Sequence, residues 1–271
     1  MPDDFSPELI ESCLTGTFGR PLRYLDSVGS TNTEAMGWAL DGAPHGAVVT
    51  ADHQTEGRGR WGRSWFSKPG ALLQLSLVLR PDLPVDTHGL LTAGLGVATA
   101  EAIEDVTGLR TKIKWPNDVT VAGKKVVGML VETAVEGSRL AVAICGIGIN
   151  VHLGRDDLPE EIKDRASSIA VEMEERSLGP VPSRAKLLCA LLAEVEKVYQ
   201  WIEDPAARDR VIDAATRRSE VLGKDVVVRL ADGSEVTGAA RSLDASGALI
   251  VDGLDGEVAL HVGEISQLRD A

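Results

Sequence analysis

The sequence predicts an α+β fold, a mixed or antiparallel sheet flanked by helices with a small all-β module behind it, and three observations carry that prediction. β-like runs at 111–115 with 119–121, at 125–135 and at 140–151 are separated by the turn signals Ala122-Gly123 and Glu136-Gly137. Turns that short join antiparallel neighbours, because a parallel pair needs a crossover of a dozen residues. Two long stretches, 86–106 and 183–204, carry apolar residues at helical spacing or almost continuously, as packing helices do. From about residue 220 the composition turns to short Val-rich runs punctuated by Gly-containing turns, which reads as a separate β unit.

The elements follow in order. Ser6-Pro7-Glu8-Leu9 is a cap followed by proline at the first helical position, so a short helix is expected over 6–14. Leu22–Val28 reads as a strand, and Thr31-Asn32-Thr33-Glu34 has capping-box spacing ahead of Ala35, Met36, Ala39 and Leu40, with Gly42 as the stop. Ala47–Gln54 is β-like, residues 55–70 are rich in Gly and Arg without a usable period, and Ala71–Arg80 is β-like until Pro81. A loop of about fifteen residues inside a compact domain is functional or disordered, and here it is read as functional. Asp86 or Thr87 caps a buried central helix to Val106. Ser183 opens a second long helix that ends at Pro205, and a third spans 206–218. The acidic stretch from Glu160 to Glu175 reads as a solvated loop-helix region. In the last module, strands at 226–228, 248–251 and 258–262 are separated by Asp232-Gly233, Ala245-Ser246-Gly247 and Asp255-Gly256. The expected division is 1–218 and 219–271.

Composition removes several function classes. Of 271 residues, 44% are hydrophobic and 25% charged, the proportions of an ordinary folded domain. The net charge of −13 disfavours broad binding to nucleic acid or anionic lipid, although a local basic patch can still hold phosphate. The chain starts Met1-Pro2-Asp3-Asp4 where a secretory signal would be basic, and no run of ~18 apolar residues is present. A cytoplasmic protein with no membrane partner is expected. Cys13, Cys145 and Cys189 are odd in number and widely spaced, and His45, His53, His88, His152 and His261 show no ligand spacing. Neither a disulfide framework nor a metal site is expected, and each Cys reads as a small buried hydrophobe.

Three segments carry chemistry. In Gln54-Thr55-Glu56-Gly57-Arg58-Gly59-Arg60-Trp61-Gly62-Arg63-Ser64-Trp65 the glycines permit close backbone approach, and three arginines offer planar, charge-assisted hydrogen bonds to phosphate or carboxylate. It matches neither the Walker pattern nor a dinucleotide fingerprint. A phosphate-bearing small ligand, a nucleic acid and a structural loop remain open readings. Lys114-Trp115-Pro116-Asn117-Asp118 places polar groups at a rigid turn, as a site or as a strand connection. Lys125, opening a strand in Gly123-Lys124-Lys125-Val126-Val127-Gly128, either snorkels or meets an anion. Gly146-Ile147-Gly148-Ile149-Asn150 leaves one strand face bare for a ligand or a packed helix.

Ser30-Thr31-Asn32, Gln54, the GRGRWGRSW loop, KWPND, GKKVVG and GIGIN, in this order and at these separations, resemble the biotin protein ligases, the biotin–[carboxyl-carrier protein] ligases. The resemblance covers roughly residues 20–155, and the C-terminal module resembles the SH3-like β-barrel that closes that family's chain. It is to the monofunctional type, since the ligase-like elements start within the first thirty residues and leave no room for a helix-turn-helix domain. The resemblance implies biotin, ATP and Mg2+, with biotinyl-5′-AMP formed first and biotin then passed to a lysine of the biotin carboxyl carrier protein or domain of an acyl-CoA, acetyl-CoA or pyruvate carboxylase.

Carried over by position, the resemblance assigns biotin to Ser30, Thr31, Asn32, Gln54, Gly57, Arg58, Gly59, Arg60, Lys125 and Gly128, with Gly128 and the glycine strand leaving room for the apolar rings. It assigns the nucleotide to Arg60, Arg63, Trp65, Asn117, Lys125 and Asn150, and catalysis to Arg58, Lys125 and Asp118, with Asp118 orienting the incoming lysine. The Gly-Arg loop is expected to act as a lid over the reactive adenylate. Trp61, between the arginines, either covers ligand or packs the closed loop. Two other functions compete: lipoate or octanoate transfer to a carrier lysine, and a non-catalytic biotin-binding regulator. No DNA partner is expected, and the chain reads as a monomer or weak homodimer.

Overall fold

The computed structural model describes residues 4–254 and 256–270, so Met1–Asp3, on which the acidic start was read, and Asp255 of the last turn lie outside the described residues. Along the chain, α1 (Pro7–Cys13), β1 (Leu22–Val28), α2 (Thr31–Leu40), β2 (Val48–Gln54), β3 (Leu72–Leu79) and β4 (Leu83–Pro84) lead to the long helix α3 (His88–Thr107). Then come β5 (Lys112–Lys114), β6 (Asp118–Val121), β7 (Lys124–Glu136), β8 (Arg139–Asn150), α4 (Ile169–Glu175), α5 (Arg184–Glu203) and α6 (Arg208–Arg218). The chain closes with β9 (Lys224–Arg229), β10 (Glu235–Leu243), β11 (Leu249–Gly253), β12 (Gly256–Leu260) and β13 (Glu264–Asp270).

The main sheet runs β1-β2-β3-β8-β7-β6-β5, with β4 beside β8. Only β1 and β2 pair parallel; every other ladder is antiparallel, as the short turns required. Strand alternation sorts β3 into two faces. Leu73, Leu75, Leu77 and Leu79 join the core under α3 and α5. On the opposite face Val78 lies under α2 with Val49 and Ile144, and Leu72 packs with Leu153, Leu158 and Ala166. Between those two apolar covers the same face carries Gln74 and Ser76, next to Gly148 and Gly146 of β8. A strand buried on both faces thus keeps two polar side chains and two bare backbones in one place.

Several expectations change on folding. The capping box does not form: Ser30 is the N-cap without a side-chain cap bond, and Thr31 and Asn32 are buried in the first turn of α2. Glu34 pairs with Arg23 instead. The acidic stretch is only partly solvated, because Ile169, Val171 and Met173 of α4 are buried. The C-terminal sheet has five strands rather than three, β10 and β13 having been missed. Its order β12-β11-β10-β9-β13 is open, not a closed barrel. Trp115 of the KWPND turn inserts into the core of this second sheet with Val226, Leu249 and Val251, and its indole N–H donates to Gly247 O at 3.2 Å. A Cβ on Gly89, at the start of α3, would meet Ser246 O at 2.5 Å, so the second sheet seats directly on the first unit.

Cysteine usage also needs correcting. Cys13 of α1 and Cys189 of α5 form a disulfide, with Cα atoms 5.8 Å apart across 176 positions of sequence. Only Cys145 is the free, buried thiol expected, and burial pushes it up to about 12. Spacing alone is silent on a pair that two packed helices bring together. Among the described residues no helix is long and apolar enough to cross a membrane.

The N-terminal segment is held by charge. Arg184, 4% exposed at the start of α5, donates to Asp4 at 2.9 Å and to Asp52 of β2 at 2.5 Å. Asp4 also lies 2.8 Å from His152 Nε2, and Asp52 accepts from Gly70 N at 3.1 Å. Burial raises the pKa of Asp4, but hydrogen bonds from Arg184 and His152 outweigh it and hold the carboxyl below its ordinary value. Its contribution is therefore present above the usual carboxylate range and is lost as pH falls through the lowered pKa. Arg184→Met should cost about 2–3 kcal/mol, the low side for a broken buried pair because both aspartates keep some access to water. The check is a denaturant midpoint at unchanged slope; a loss under about 0.5 kcal/mol would show that the network is not stabilising.

Candidate functional site

The polar patch on the outer face of β3 opens into a cavity of about 830 Å³, the size of a site for one or two small molecules. Its walls are the first turn of α2, the Gly-Arg loop, the KWPND turn, the ends of β7 and β8, and β13 of the C-terminal sheet. Every residue that the resemblance assigned to biotin, nucleotide or catalysis lines it except Gly57. Gly57 lies behind the loop, where a Cβ would meet Trp65 O at 2.8 Å.

One end is neutral and rich in hydrogen bonds. Thr31 N and Oγ1 donate to Gln54 Oε1 at 2.8 and 3.2 Å, and Gln54 Nε2 donates to Gln74 Oε1 at 2.9 Å. The Ser76 hydroxyl lies 2.8 Å from Thr31 Oγ1 and 2.6 Å from Asn32 Oδ1, and its single proton serves one at a time. Asn32 Nδ2 donates to Glu132 Oε2 at 2.7 Å and Leu130 O at 3.3 Å. Gly146 lies opposite both Ser76 and Leu130, and a Cβ there would sit 2.2 Å from Asn32 Oδ1. The bare face of GIGIN is therefore met at this position by a side chain of the first turn of α2. Ser30, buried at the N-cap, completes this end.

At Gly148 and Gly128 the visitor is the Trp65 indole: a Cβ on either glycine would lie 2.6 Å from its ring. That differs from the expectation that these glycines leave open space. Among the described residues the buried Trp65 N–H has no hydrogen-bond partner, an unmet donor beside Gly148. Trp65 also packs with Phe66, Leu158, Ile162 and Ala166, an apolar shelf that the sequence reading did not include.

The middle of the cavity is charged. Lys125 Nζ lies 2.7 Å from Asp118 Oδ1, an ion pair at the centre of this charged region. Lys125 is also 5.5 Å from the Trp65 ring. Its backbone is tied to the end of the shelf segment: Lys125 N donates to Arg165 O at 2.8 Å, and Ser167 N to Lys125 O at 2.9 Å. Asn150 Nδ2 braces the same segment through Ser167 O at 2.8 Å. Asn117 acts as a second brace, donating to Met129 O at 2.7 Å and accepting from Arg60 at 3.2 Å.

The Gly-Arg loop is a small hairpin, closed by Gly59 N to Arg63 O at 2.7 Å and Trp65 N to Gly57 O at 2.8 Å. Its tip takes left-handed backbone at Trp61 (φ 56°) and Gly62 (φ 72°), which glycine accepts at no steric cost. Arg58 reaches both oxygens of Glu132 at 3.3 Å. Arg60 donates to Gly263 O at 2.8 Å, and Arg63 pairs with Glu264. Burial lowers the pKa of Arg60, whereas the hydrogen bond to Glu264 raises that of Arg63 and holds the Glu264 carboxyl down. Trp61 is 42% exposed, with Arg60 and Arg63 5.2 and 5.8 Å from its ring, so it flanks the arginines at the cavity mouth.

The sequence reading missed Gln74, Ser76, Glu132 and Glu264. The signal for the first two was present: Gln74 and Ser76 are the polar residues, two apart, in an otherwise apolar strand. Among the described residues, no group of three or more His, Cys, Asp or Glu that could hold a metal is found.

The chain matches the biotin/lipoate A/B protein ligase family over residues 24–150 and the biotin protein ligase C-terminal domain over residues 221–267. It is 41% identical over 186 residues to the bifunctional ligase/repressor BirA of Bacillus subtilis, a match covering 69% of this chain and 56% of that protein. The chain thus spans little more than half of that relative's length. It is 33% identical over 261 residues to the biotin–[acetyl-CoA-carboxylase] ligase of Mycobacterium tuberculosis, covering 94% of this chain and 91% of that one. Biotin protein ligase from Aquifex aeolicus, solved with biotin and ATP, superposes with a TM-score of 0.75 at 29% identity, covering 92% of this chain and 99% of that one.

Proposed function

From a chain that belongs to the biotin/lipoate A/B protein ligase family, we propose a biotin–protein ligase that activates biotin with ATP and transfers it to a lysine of a biotin carboxyl carrier protein or domain. The acetyl-CoA carboxylase carrier is the first candidate, on the name of the mycobacterial relative; the carriers of other acyl-CoA and pyruvate carboxylases are the alternatives. One observation carries this reading: a neutral hydrogen-bonding end (Thr31, Asn32, Gln54) and a cationic middle (Arg58, Arg60, Lys125) share one cavity. A ureido ring fits the first and a carboxylate with a phosphate fits the second.

In the first step a biotin carboxylate oxygen attacks the α-phosphorus of ATP and the bond to the bridging oxygen breaks, giving biotinyl-5′-AMP and pyrophosphate. No proton moves and no enzyme nucleophile is needed, so the protein's task is to offset the charge of two anions brought together. Arg58, Arg60 and Lys125 do so, with Gly57 and Gly59 shaping the loop. Asn117 aims Arg60, Arg63 anchors the lid to Glu264, and Asn150 with the Trp65 shelf holds the base. In the second step the carrier amine attacks the acyl carbonyl and AMP leaves. Asp118, held by its ion pair with Lys125 at 2.7 Å, receives or orients the amine proton. Mg2+ would enter with ATP and offset its phosphate charge; the acids lining the cavity, Asp118 and Glu264, are paired with Lys125 and Arg63, so phosphate and water would supply most of its ligands, as is usual for this ion.

In this reading residues 1–218 hold the chemistry and 219–271 support the mouth of the cavity. The protein acts in the cytoplasm as a monomer or weak homodimer, without DNA as a partner. The test is intact-mass analysis of a purified carrier domain after incubation with the chain, biotin and MgATP, with lipoate in place of biotin in a second arm. One biotin adduct is expected. An adduct with lipoate alone would replace the reading with lipoate transfer, and biotin binding without any adduct would make the chain a regulator.

A further inference from the structure

The neutral end of the cavity has a second layer. Gln54 lines the cavity, and behind it Gln74 is only 1% exposed. Backbone groups at both ends fix which way the two side-chain amides face. The Thr31 N–H can only donate, so the Gln54 atom 2.8 Å away is its oxygen, and Gln54 Nε2 turns to Gln74 Oε1 at 2.9 Å. The Asp52 carbonyl can only accept, so the Gln74 atom 3.4 Å from it is Nε2, which leaves Gln74 Oε1 for Gln54. The two ends demand the same orientation.

Ser67 closes the chain of bonds. Its hydroxyl oxygen accepts from the Gln54 backbone N–H and from Gln74 Nε2, both at 3.0 Å, so its own proton goes to His53 Nδ1, also at 3.0 Å. The Gly-Arg loop leaves β2 at Gln54, and Ser67 lies on its return arm ahead of β3. One hydroxyl thus joins both arms of the loop to the Gln74 amide. Gln54 Oε1 accepts from Thr31 N and Oγ1, which uses both of its lone pairs, and one Gln54 N–H goes to Gln74. The second N–H has no partner among the described residues, so this amide offers the cavity a donor and no acceptor.

We propose that Gln74 and Ser67 are positioning residues for biotin: they hold the Gln54 amide so that its remaining N–H meets the carbonyl oxygen of the ureido ring. The proposal rests on the ligase reading above. A buried amide is costly unless its bonds are made, and those of Gln74 are made to Gln54, Ser67 and Asp52. Gln74 therefore reaches biotin only through Gln54. The ureido ring is remote from the reacting carboxylate, so its hydrogen bonds are alike before and in the transition state. Losing one raises the biotin KM and spares kcat.

The experiment is pyrophosphate release at varied biotin and at varied ATP, for wild type, Gln74→Leu, Ser67→Ala, Ser67→Thr, Gln54→Leu and the double variant Gln54→Leu/Gln74→Leu. The biotin KM should rise about tenfold in Gln74→Leu and about threefold or more in Ser67→Ala, since each leaves a buried donor without its partner. Ser67→Thr, which keeps the hydroxyl, should bring it back to within about twofold of wild type. The ATP KM and kcat should stay within about twofold throughout the Gln74 and Ser67 single variants. Gln54→Leu should also raise the biotin KM, and adding Gln74→Leu should raise it no further, because a residue acting through Gln54 then has nothing to act on. A biotin KM unchanged within twofold in both Gln74→Leu and Ser67→Ala overturns the proposal. So does a full additional rise in the double variant, or a parallel loss in kcat and ATP KM, either of which makes Gln74 part of the scaffold. Ser67→Ala, at a half-buried loop position, keeps the test decisive if Gln74→Leu fails to fold. Wild type that releases no pyrophosphate with biotin would overturn the ligase reading and the proposal with it, whereas active wild type beside unaltered variants would overturn the positioning alone.

Discussion

Lys125→Met should lower biotin-dependent pyrophosphate release by about 10²–10³-fold, the loss usual for removing one preorganised charge from a site where negative charge is concentrated. Methionine keeps most of the aliphatic stem, which packs over Gly128 with Lys125 Cε 3.0 Å from where a Cβ would lie, so the cavity wall survives. The fold should survive too. Among the described residues the ion-pair partner of Lys125 is Asp118, and the two side chains are 34% and 23% exposed. A partly exposed pair of this kind contributes about 1 kcal/mol or less. The backbone bonds from Lys125 to Arg165 and Ser167 do not depend on the side chain. Stopped-time pyrophosphate release and a thermal melt on the same preparation separate the two outcomes. A variant that releases pyrophosphate within threefold of wild type would remove Lys125 from the first step and leave Arg58 and Arg60 as its cations.

The sheet's antiparallel ladders, its long helices and most of the cavity's residues were legible because their signals are local. GRGRWGRSW marks itself as an irregular Gly-Arg loop between two strands through composition alone, and Ala122-Gly123 announces a hairpin through two residues. The rest needed register or distance. Glu132 becomes a partner of Asn32 and Arg58 only when β7 is laid beside β8 with Leu130 opposite Gly146. Glu264 becomes the anchor of Arg63 only when a second sheet seats on the first. Cys13 and Cys189 meet because α1 packs on α5, which nothing near either cysteine encodes. Thr31-Asn32-Thr33-Glu34 shows the opposite failure. Its spacing satisfies a local rule, but burying Thr31 and Asn32 against Gln54 and Ser76 overrides it, and that conflict between local rule and tertiary structure falls where the ligand pocket is placed.

Gly146→Ala should weaken biotin binding by about 10²–10³-fold with the protein still folded. The new Cβ would sit 2.2 Å from Asn32 Oδ1, 2.9 Å from its Cγ and 3.0 Å from its Nδ2, so the whole amide must move. Asn32 is 4% exposed and is fixed by Ser76 on one side and by Glu132 and Leu130 on the other. Moving it breaks these bonds and strands buried polar groups, at about 1–3 kcal/mol for each group left unmet. At 1.4 kcal/mol per tenfold, two such losses of about 1.5–2 kcal/mol each, the middle of that span, give the predicted range. The backbone of Gly146 takes no positive φ, so alanine introduces no strain of its own. Gly37 supplies the control. It lies inside α2 with nothing within 4 Å of a Cβ, so Gly37→Ala should stabilise the helix by about 0.5–1 kcal/mol and leave biotin affinity unchanged. Calorimetric titration with biotin on both variants decides the matter. Binding by Gly146→Ala within threefold of wild type would mean that Asn32 does not hold the ureido ring, and the neutral end of the cavity would need another occupant.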